Sequence, residues 1–291
     1  MPIGSFSAPL ASPDCRRVKI IDVHDTTAAH FIGAIPDHYE RALGPVIFAD
    51  YAADIARRAA ASSPKRVLET AAGTGIVTRH LRDVLPTGSQ LTATDLNEAM
   101  LDIARTKFSP GEQVMFMPAD ATALPFAEGA FDAVVCQYGV MFFPDKLRSH
   151  REVRRVLAPN GHYVFNVWDS HAHNAFGRLA YETAARFYPD DPPPFFQVPF
   201  GYHDYDAIKA SLIDAGFTDI KASVVRLAKQ VADPALFARG LICGTPLIEQ
   251  IRTRAGANPE RLIEALTDAF IRELRLAERP LHMQAIVFEA A

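Results

Sequence analysis

The sequence predicts an α/β fold with a doubly wound, mostly parallel sheet. Between Arg66 and Trp168, short apolar runs alternate with segments of helical period, joined by short connections. Strands alternating with helices in this way mean a parallel sheet covered on both faces. A glycine turn, Glu69-Thr70-Ala71-Ala72-Gly73-Thr74-Gly75, separates the first strand from the helix after it.

Taken in order, residues 1–44 form an N-terminal arm and cap, loosely ordered to about residue 22. The core, 45–168, opens with a helix from Pro45 to Ala61 carrying Val46, Ile47, Ile55 and Ala56, and Pro64 ends it. Arg66–Thr70 is a strand, and Ile76–Leu85 a helix punctuated by Pro86 and Gly88. Gln90–Thr94 is a strand, Asn97–Lys107 a helix and Val114–Met117 a strand. Phe131–Cys136 is a strand, Lys146–Leu157 a helix and His162–Trp168 a strand fed by an Asn160-Gly161 turn. Residues 169–205 hold a proline cluster and several aromatics and read as an insertion over the active site. Residues 206–232 resume the core with a helix, Tyr205–Ala215, ended by Gly216, and a strand, Thr218–Leu227. Residues 233–281 are a helical lid in which Leu262, Leu266, Phe270 and Leu274 share a face, and 282–291 supply the last strand, Gln284–Glu289.

Composition narrows the function. The chain has 291 residues, 49% hydrophobic and 22% charged, enough apolar surface for a sizeable core. A net charge of −4 gives no bulk attraction to nucleic acid or anionic membrane. The three cysteines, Cys15, Cys136 and Cys243, lie far apart with no CxxC, so no disulfide framework or cysteine zinc site is expected, and the compartment reads as reducing and cytoplasmic. No signal peptide is expected, because the first 15 residues lack a basic region. The most apolar stretch, Ala130–Phe143, is too short to span a bilayer, so no integral membrane contact is expected.

The chemistry gathers at the strand ends. Gly73-x-Gly75 is followed by Thr78 where a dinucleotide fingerprint has Gly or Ala. Glu69 would stand beside a pyrophosphate at the helix N-terminus at an electrostatic cost, whereas it suits a cationic cofactor. Asp95, ending the second strand, can accept hydrogen bonds from a ribose diol. Leu96 and Met100 offer apolar surface to an adenine face. Asp120, ending the third strand, can accept from an adenine amino group, and Ala121 leaves room for the ring.

The segments Val67–Gly75, Asp95–Leu101, Asp120–Phe126, Phe131–Gln137 and Val153–Gly161 resemble the class I S-adenosylmethionine-dependent methyltransferases, nearest to the type 11 quinone-biosynthesis group. The resemblance covers roughly residues 64 to 168. It implies a seven-stranded sheet whose last strand is antiparallel, with S-adenosyl-L-methionine as cofactor. It places Glu69, Thr70, Ala71, Gly73 and Gly75 at the methionine end, and Asp95 on the ribose. Leu96, Met100, Asp120 and Ala121 frame the adenine. Gln137 faces the methionine portion or the acceptor, and an aromatic such as Tyr39, preceding the first core helix, caps the cofactor. The family has Gly where this chain has Ala71, a change tolerable only if φ there stays below zero.

Function then reads as methyl transfer by in-line displacement to a small, partly apolar acceptor, with orientation and desolvation supplying much of the rate. Tyr138, His171 and His173 are candidate bases on position alone. A nucleotide-dependent oxidoreductase and a non-catalytic binding protein on the same fold are the rivals. Asp191-Pro192-Pro193 lies past the fifth strand, outside a catalytic position, and reads as a stiff loop. His171-x-His173 lacks a third ligand, so no metal is expected. Arg148, Arg151, Arg154 and Arg155 read as a solvated helix face.

Overall fold

The structure, a computed structural model, describes residues 29–276 and 278–291. The expected ordering of residues 1–22, and Cys15, lie outside that range. Seven strands form one sheet: β1 (Arg66–Thr70), β2 (Gln90–Asp95), β3 (Val114–Pro118), β4 (Phe131–Gln137), β5 (Leu157–Trp168), β6 (Ile220–Lys229) and β7 (Leu281–Ala290). The order is β3-β2-β1-β4-β5-β7-β6. β7 runs antiparallel to β5 and β6, and the pairs among β1–β5 are parallel. The order reverses beside β1, so the C-terminal ends of β1 and β4 open the crevice where such sheets bind ligands.

Alternation along the strands sends side chains to both faces. Val67, Ala133, Val135 and Val164 pack under α2 (Ala49–Ala60) and α3 (Ile76–Val84). Ala93 packs with Leu101 of α4 (Glu98–Arg105). Leu68, Val134, Tyr163 and Phe165 enter a larger core with Val153 and Val156 of α5 (Lys146–Val156) and Ile208 and Leu212 of α8 (Tyr205–Asp214). The β1–β4 and β6 expectations hold within about two residues, and β7 starts three residues before the expected Gln284.

Three expectations are corrected. The first helix does not begin at Pro45. A short α1 (Ile35–His38) runs into a π-helical segment, Tyr39–Phe48, and on into α2, with Pro45 inside. Proline lacks the amide that an α-helix interior needs, and the wider turn absorbs it: Ala49 N–H donates to Gly44 O, five residues back. Tyr39 therefore sits within this helical run, not ahead of it. Second, β5 starts at Leu157, and Asn160, at φ 65°, makes a bulge within it. Third, β3 ends at Pro118, so Asp120 lies two residues beyond.

The 169–205 insertion is built on α6 (Ala175–Phe187) and the short α7 (Gln197–Gly201). The 233–281 segment folds as α9 (Pro234–Cys243), α10 (Leu247–Arg252) and α11 (Pro259–Ala269), the last followed by a π turn, Phe270–Leu274. Leu262, Leu266 and Phe270 are buried as the stripe predicts. These helices join the larger core and roof the crevice. Among the described residues, no helix is long and apolar enough to cross a membrane.

Candidate active site

One cavity of about 1130 Å³, counting its open mouth, lies between the C-terminal strand ends and the roof. Its two ends differ in chemistry. The polar end is walled by Ala71, Gly73, Asp95, Asp120 and Gln137, with Leu96 and Met100 beside them. The other end is aromatic: Phe48, Tyr138, Trp168, Phe176, Phe195 and Phe200 are among its walls.

Asp95 is the organising residue of the polar end. It is buried, and its two oxygens each accept a backbone N–H: Oδ2 from Gly73 and Oδ1 from Asn97, both at 2.8 Å. Burial raises its carboxyl above the usual range, opposed by those hydrogen bonds. It does not cap α4, whose N-cap is Asn97. Asp120 accepts from Thr122 N–H and Oγ1, both at 2.8 Å, fixing its loop. Leu96 is 60% exposed at the mouth.

The glycine turn carries left-handed residues at Ala71 (φ 52°), Gly73 (56°) and Gly75 (78°). The sequence condition on Ala71, φ below zero, is overturned. Alanine tolerates this region at roughly 1–2 kcal/mol, and the methyl finds room because position 139 is glycine: a Cβ there would fall 2.4 Å from Ala71 Cβ. Ala71→Gly is therefore expected to raise folding stability by about 1 kcal/mol, read by urea denaturation. A lowered or unchanged midpoint would show the turn is unstrained.

Glu69, Thr70 and Gly75 lie outside the cavity wall, behind the turn. Gly75 is demanded by packing, since a Cβ on it would sit 2.7 Å from Ala104 Cβ of α4. Glu69 is buried with Oε2 unpaired, and burial, reinforced by the charge of Asp95, pushes its carboxyl up to about 8. Gln137 donates from Nε2 to Phe48 O at 3.4 Å, while its Oε1 is buried without a partner. Ala121 and Tyr39 line the cavity. Tyr39 stacks on Phe48 at 4.8 Å and meets Phe31 edge-on at 5.8 Å.

The three candidate bases fall in three different places. Tyr138 lines the wall and stacks on Trp168 at 4.1 Å and 9°, but burial holds its hydroxyl protonated, well above the usual tyrosine range. His171 lies behind the wall, its ring 4.8 Å from that of Phe200, and burial lowers its basicity. His173 is exposed in a turn. No group of three His, Cys, Asp or Glu side chains that could hold a metal occurs among the described residues. Asp191 is paired with Arg254 at 2.9 Å, away from the cavity. Arg155 is held by Glu152 and the carbonyls of Leu124 and Phe126, and Arg154 donates to Gly216 O.

Sequence reasoning missed Phe48, Trp168, Phe176 and Phe200 as wall residues. They come from the π segment, β5, α6 and α7, and only tertiary packing brings them together. Met141, Phe142, Phe143 and Pro144, which follow β4 after three intervening residues, also line the cavity.

A methyltransferase domain model matches residues 68–165. The demethylmenaquinone methyltransferase of Thermus thermophilus is 37% identical over 172 residues, 54% of this chain and 76% of the relative. The chain belongs to the S-adenosylmethionine-dependent methyltransferases. Two solved structures share the fold. YcgJ of Bacillus subtilis has a TM-score of 0.55 at 19% identity, over 83% of this chain and 97% of that one. Phosphoethanolamine N-methyltransferase 2 of Haemonchus contortus, solved with phosphomonomethylethanolamine and S-adenosylhomocysteine, has a TM-score of 0.56 at 18% identity, over 88% of this chain and 56% of that one. In this methyltransferase the domain match stops before both roof segments, 169–205 and 233–281.

Proposed function

We propose that this methyltransferase holds S-adenosylmethionine in the polar end of the cavity and methylates a flat, uncharged aromatic acceptor, of hydroquinol type, in the aromatic end. The polar end fits the cofactor. Gln137 Oε1 in the wall and Glu69 Oε2 behind it are buried without partners, as are the hydroxyls of Thr70, Thr74 and Thr78. The cofactor offers donors and positive charge to match. Asp95 takes the ribose hydroxyls, Leu96, Met100, Asp120 and Ala121 frame the adenine, and Ala71, Gly73 and Gln137 border the methionine portion. Thr70 and Gly75 shape the turn from behind, and Tyr39 closes the side. The cofactor supplies an electrophilic methyl on a sulfonium, leaving as a neutral thioether. The residues of this chain orient the two molecules and keep water out, the contributions such a displacement needs.

The observation that carries the acceptor class is the charge census of the wall. Among its described residues there is no lysine, arginine, histidine or cysteine. An anionic acceptor would be desolvated in the aromatic end with no cation to meet it. The acceptor must also bring its own nucleophile, as an electron-rich hydroxylated ring does. The name of the Thermus relative points to the same chemistry.

The test is release of S-adenosylhomocysteine from S-adenosylmethionine with 1,4-dihydroxynaphthalene or phosphoethanolamine as acceptor. Turnover with the first and none with the second is expected. The reverse overturns the acceptor class.

Glu69 gives a pH signature. Its carboxyl is raised in the folded state, so between about 4.5 and about 8 the free protein binds a proton that the unfolded chain releases, and its contribution to stability falls as pH rises through that window. A cationic ligand favours the ionised form. Affinity for S-adenosylmethionine should therefore rise with pH up to about 8, with proton release, while neutral adenosine shows no such rise. Glu69→Gln should bind the cofactor more weakly and with that rise removed. Isothermal titration in buffers of different ionisation enthalpy reads both, and an unaltered pH dependence in Glu69→Gln would remove Glu69 from the account.

A further inference from the structure

Gly177 is the third residue of α6, in its first turn, where its N–H donates to the carbonyl of the N-cap Asn174 at 3.1 Å. Its φ is not positive, so the backbone does not require it. The neighbouring ring does: a Cβ on Gly177 would fall 2.2 Å from Cε2 and 2.4 Å from Cζ of Phe200. Phe200, on α7, lies across α6 at this notch and presents its other side to the cavity, which Gly177 itself does not line. The ring lies among those of His171 at 4.8 Å, Phe176 at 5.6 Å, edge-on, Trp168 at 6.1 Å and Phe196 at 6.3 Å. A methyl at 177 requires the ring to move away from α6, and the cavity is the open space beside it.

We propose that Gly177 sets the depth of the acceptor chamber by seating Phe200 back into α6, which makes Phe200 the residue that limits the size of the aromatic acceptor. This rests on the assignment of the aromatic end to the acceptor. Close-packed walls respond to one methyl, because neighbours shift as whole side chains rather than compress. Gly177→Ala pushes the Phe200 ring into the chamber. Phe200→Leu empties part of it, and in the double variant the added methyl and the shorter side chain offset one another.

The experiment measures N-phenyl-1-naphthylamine, a neutral fluorescent two-ring probe, binding to the full chain saturated with S-adenosylhomocysteine. Gly177→Ala should weaken probe binding about tenfold with S-adenosylhomocysteine affinity unchanged, and Gly177→Ala/Phe200→Leu should return it to within about threefold of the parent. Phe200→Leu alone should bind the three-ring probe 2-aminoanthracene about tenfold more tightly, which tests the chamber even if Gly177→Ala does not fold. Unaltered binding of the first probe in folded Gly177→Ala, no rescue in the double variant, or no gain with Phe200→Leu each overturns the proposal. Because the probes are not turned over, the Gly177 dependence stands or falls apart from the identity of the acceptor. Absence of turnover with 1,4-dihydroxynaphthalene would count against the hydroquinol reading alone.

Discussion

Asp95→Ala should weaken S-adenosylmethionine binding on the order of 100-fold and lower the melting temperature together. The affinity loss follows from the ribose. Hydrogen bonds to a charged group contribute roughly 1.5–3 kcal/mol each, not fully additive, and a loss of about 3 kcal/mol is a factor of about 100. The stability loss follows from the turn. Asp95 holds the N–H groups of Gly73 and Asn97, and its removal frees both. A ribose ligand alone would leave folding intact, and a helix cap alone would leave affinity intact. The structure replaces those alternatives, because the same carboxylate builds the loop that faces the ligand. Isothermal titration and a thermal melt on one variant decide. A dissociation constant within about threefold of the parent, with a lowered melting temperature, would mean that the ribose is held elsewhere.

Asn174→Ala should detach the roof from the sheet. Asn174 is buried at the start of α6 and acts as a short strand toward β7. Its Oδ1 accepts Gln284 N–H at 3.0 Å, and its Nδ2 donates to Gln284 O and Asp169 O, both at 2.9 Å. Truncation leaves Gln284 N–H and Asp169 O without this partner in a buried place, at roughly 1–3 kcal/mol each, while Gln284 O keeps the Asp169 N–H at 3.2 Å. A loss of about 3 kcal/mol and a fall in melting temperature on the order of 5–10 °C are expected. The acceptor end should suffer more than the cofactor end, because α6 carries Phe176 and seats Phe200 while the polar end hangs on β1, β2 and β4. Thermal melts with and without S-adenosylhomocysteine, and probe binding at the aromatic end, read this. Equal loss at both ends would show that the roof and the sheet form one cooperative unit.

The core was legible because its parallel strands are short, largely apolar segments alternating with helices, and Asp95 because it ends one of them, after Leu91–Thr94. Asp120 was legible as a partner of Asp95 but misplaced by two residues, since Pro118 already ends β3. Three features were hidden for physical reasons. Pro45 looks like a helix start, and only the π-helical turn lets the helix run through it. The 175–187 helix contains Gly177, a poor helix former kept for the ring beside it, and proline-rich sequence follows. The aromatic wall has no local pattern, because its members lie on separate elements and each alone reads as core. Ala71 shows the converse: its residue type argued against the left-handed turn, and Gly139, far along the chain, supplies the missing space.

The central claim is the division of one cavity into a cofactor end and an acceptor end, and a crystal structure with S-adenosylhomocysteine tests it most directly. The account predicts the ribose hydroxyls on Asp95, the adenine between Leu96 with Met100 and Ala121, and the sulfur directed toward the wall formed by Tyr138 and Trp168. An adenine stacked among Trp168, Phe176 and Phe200, or a sulfur directed out through the mouth beside Leu96, would contradict it.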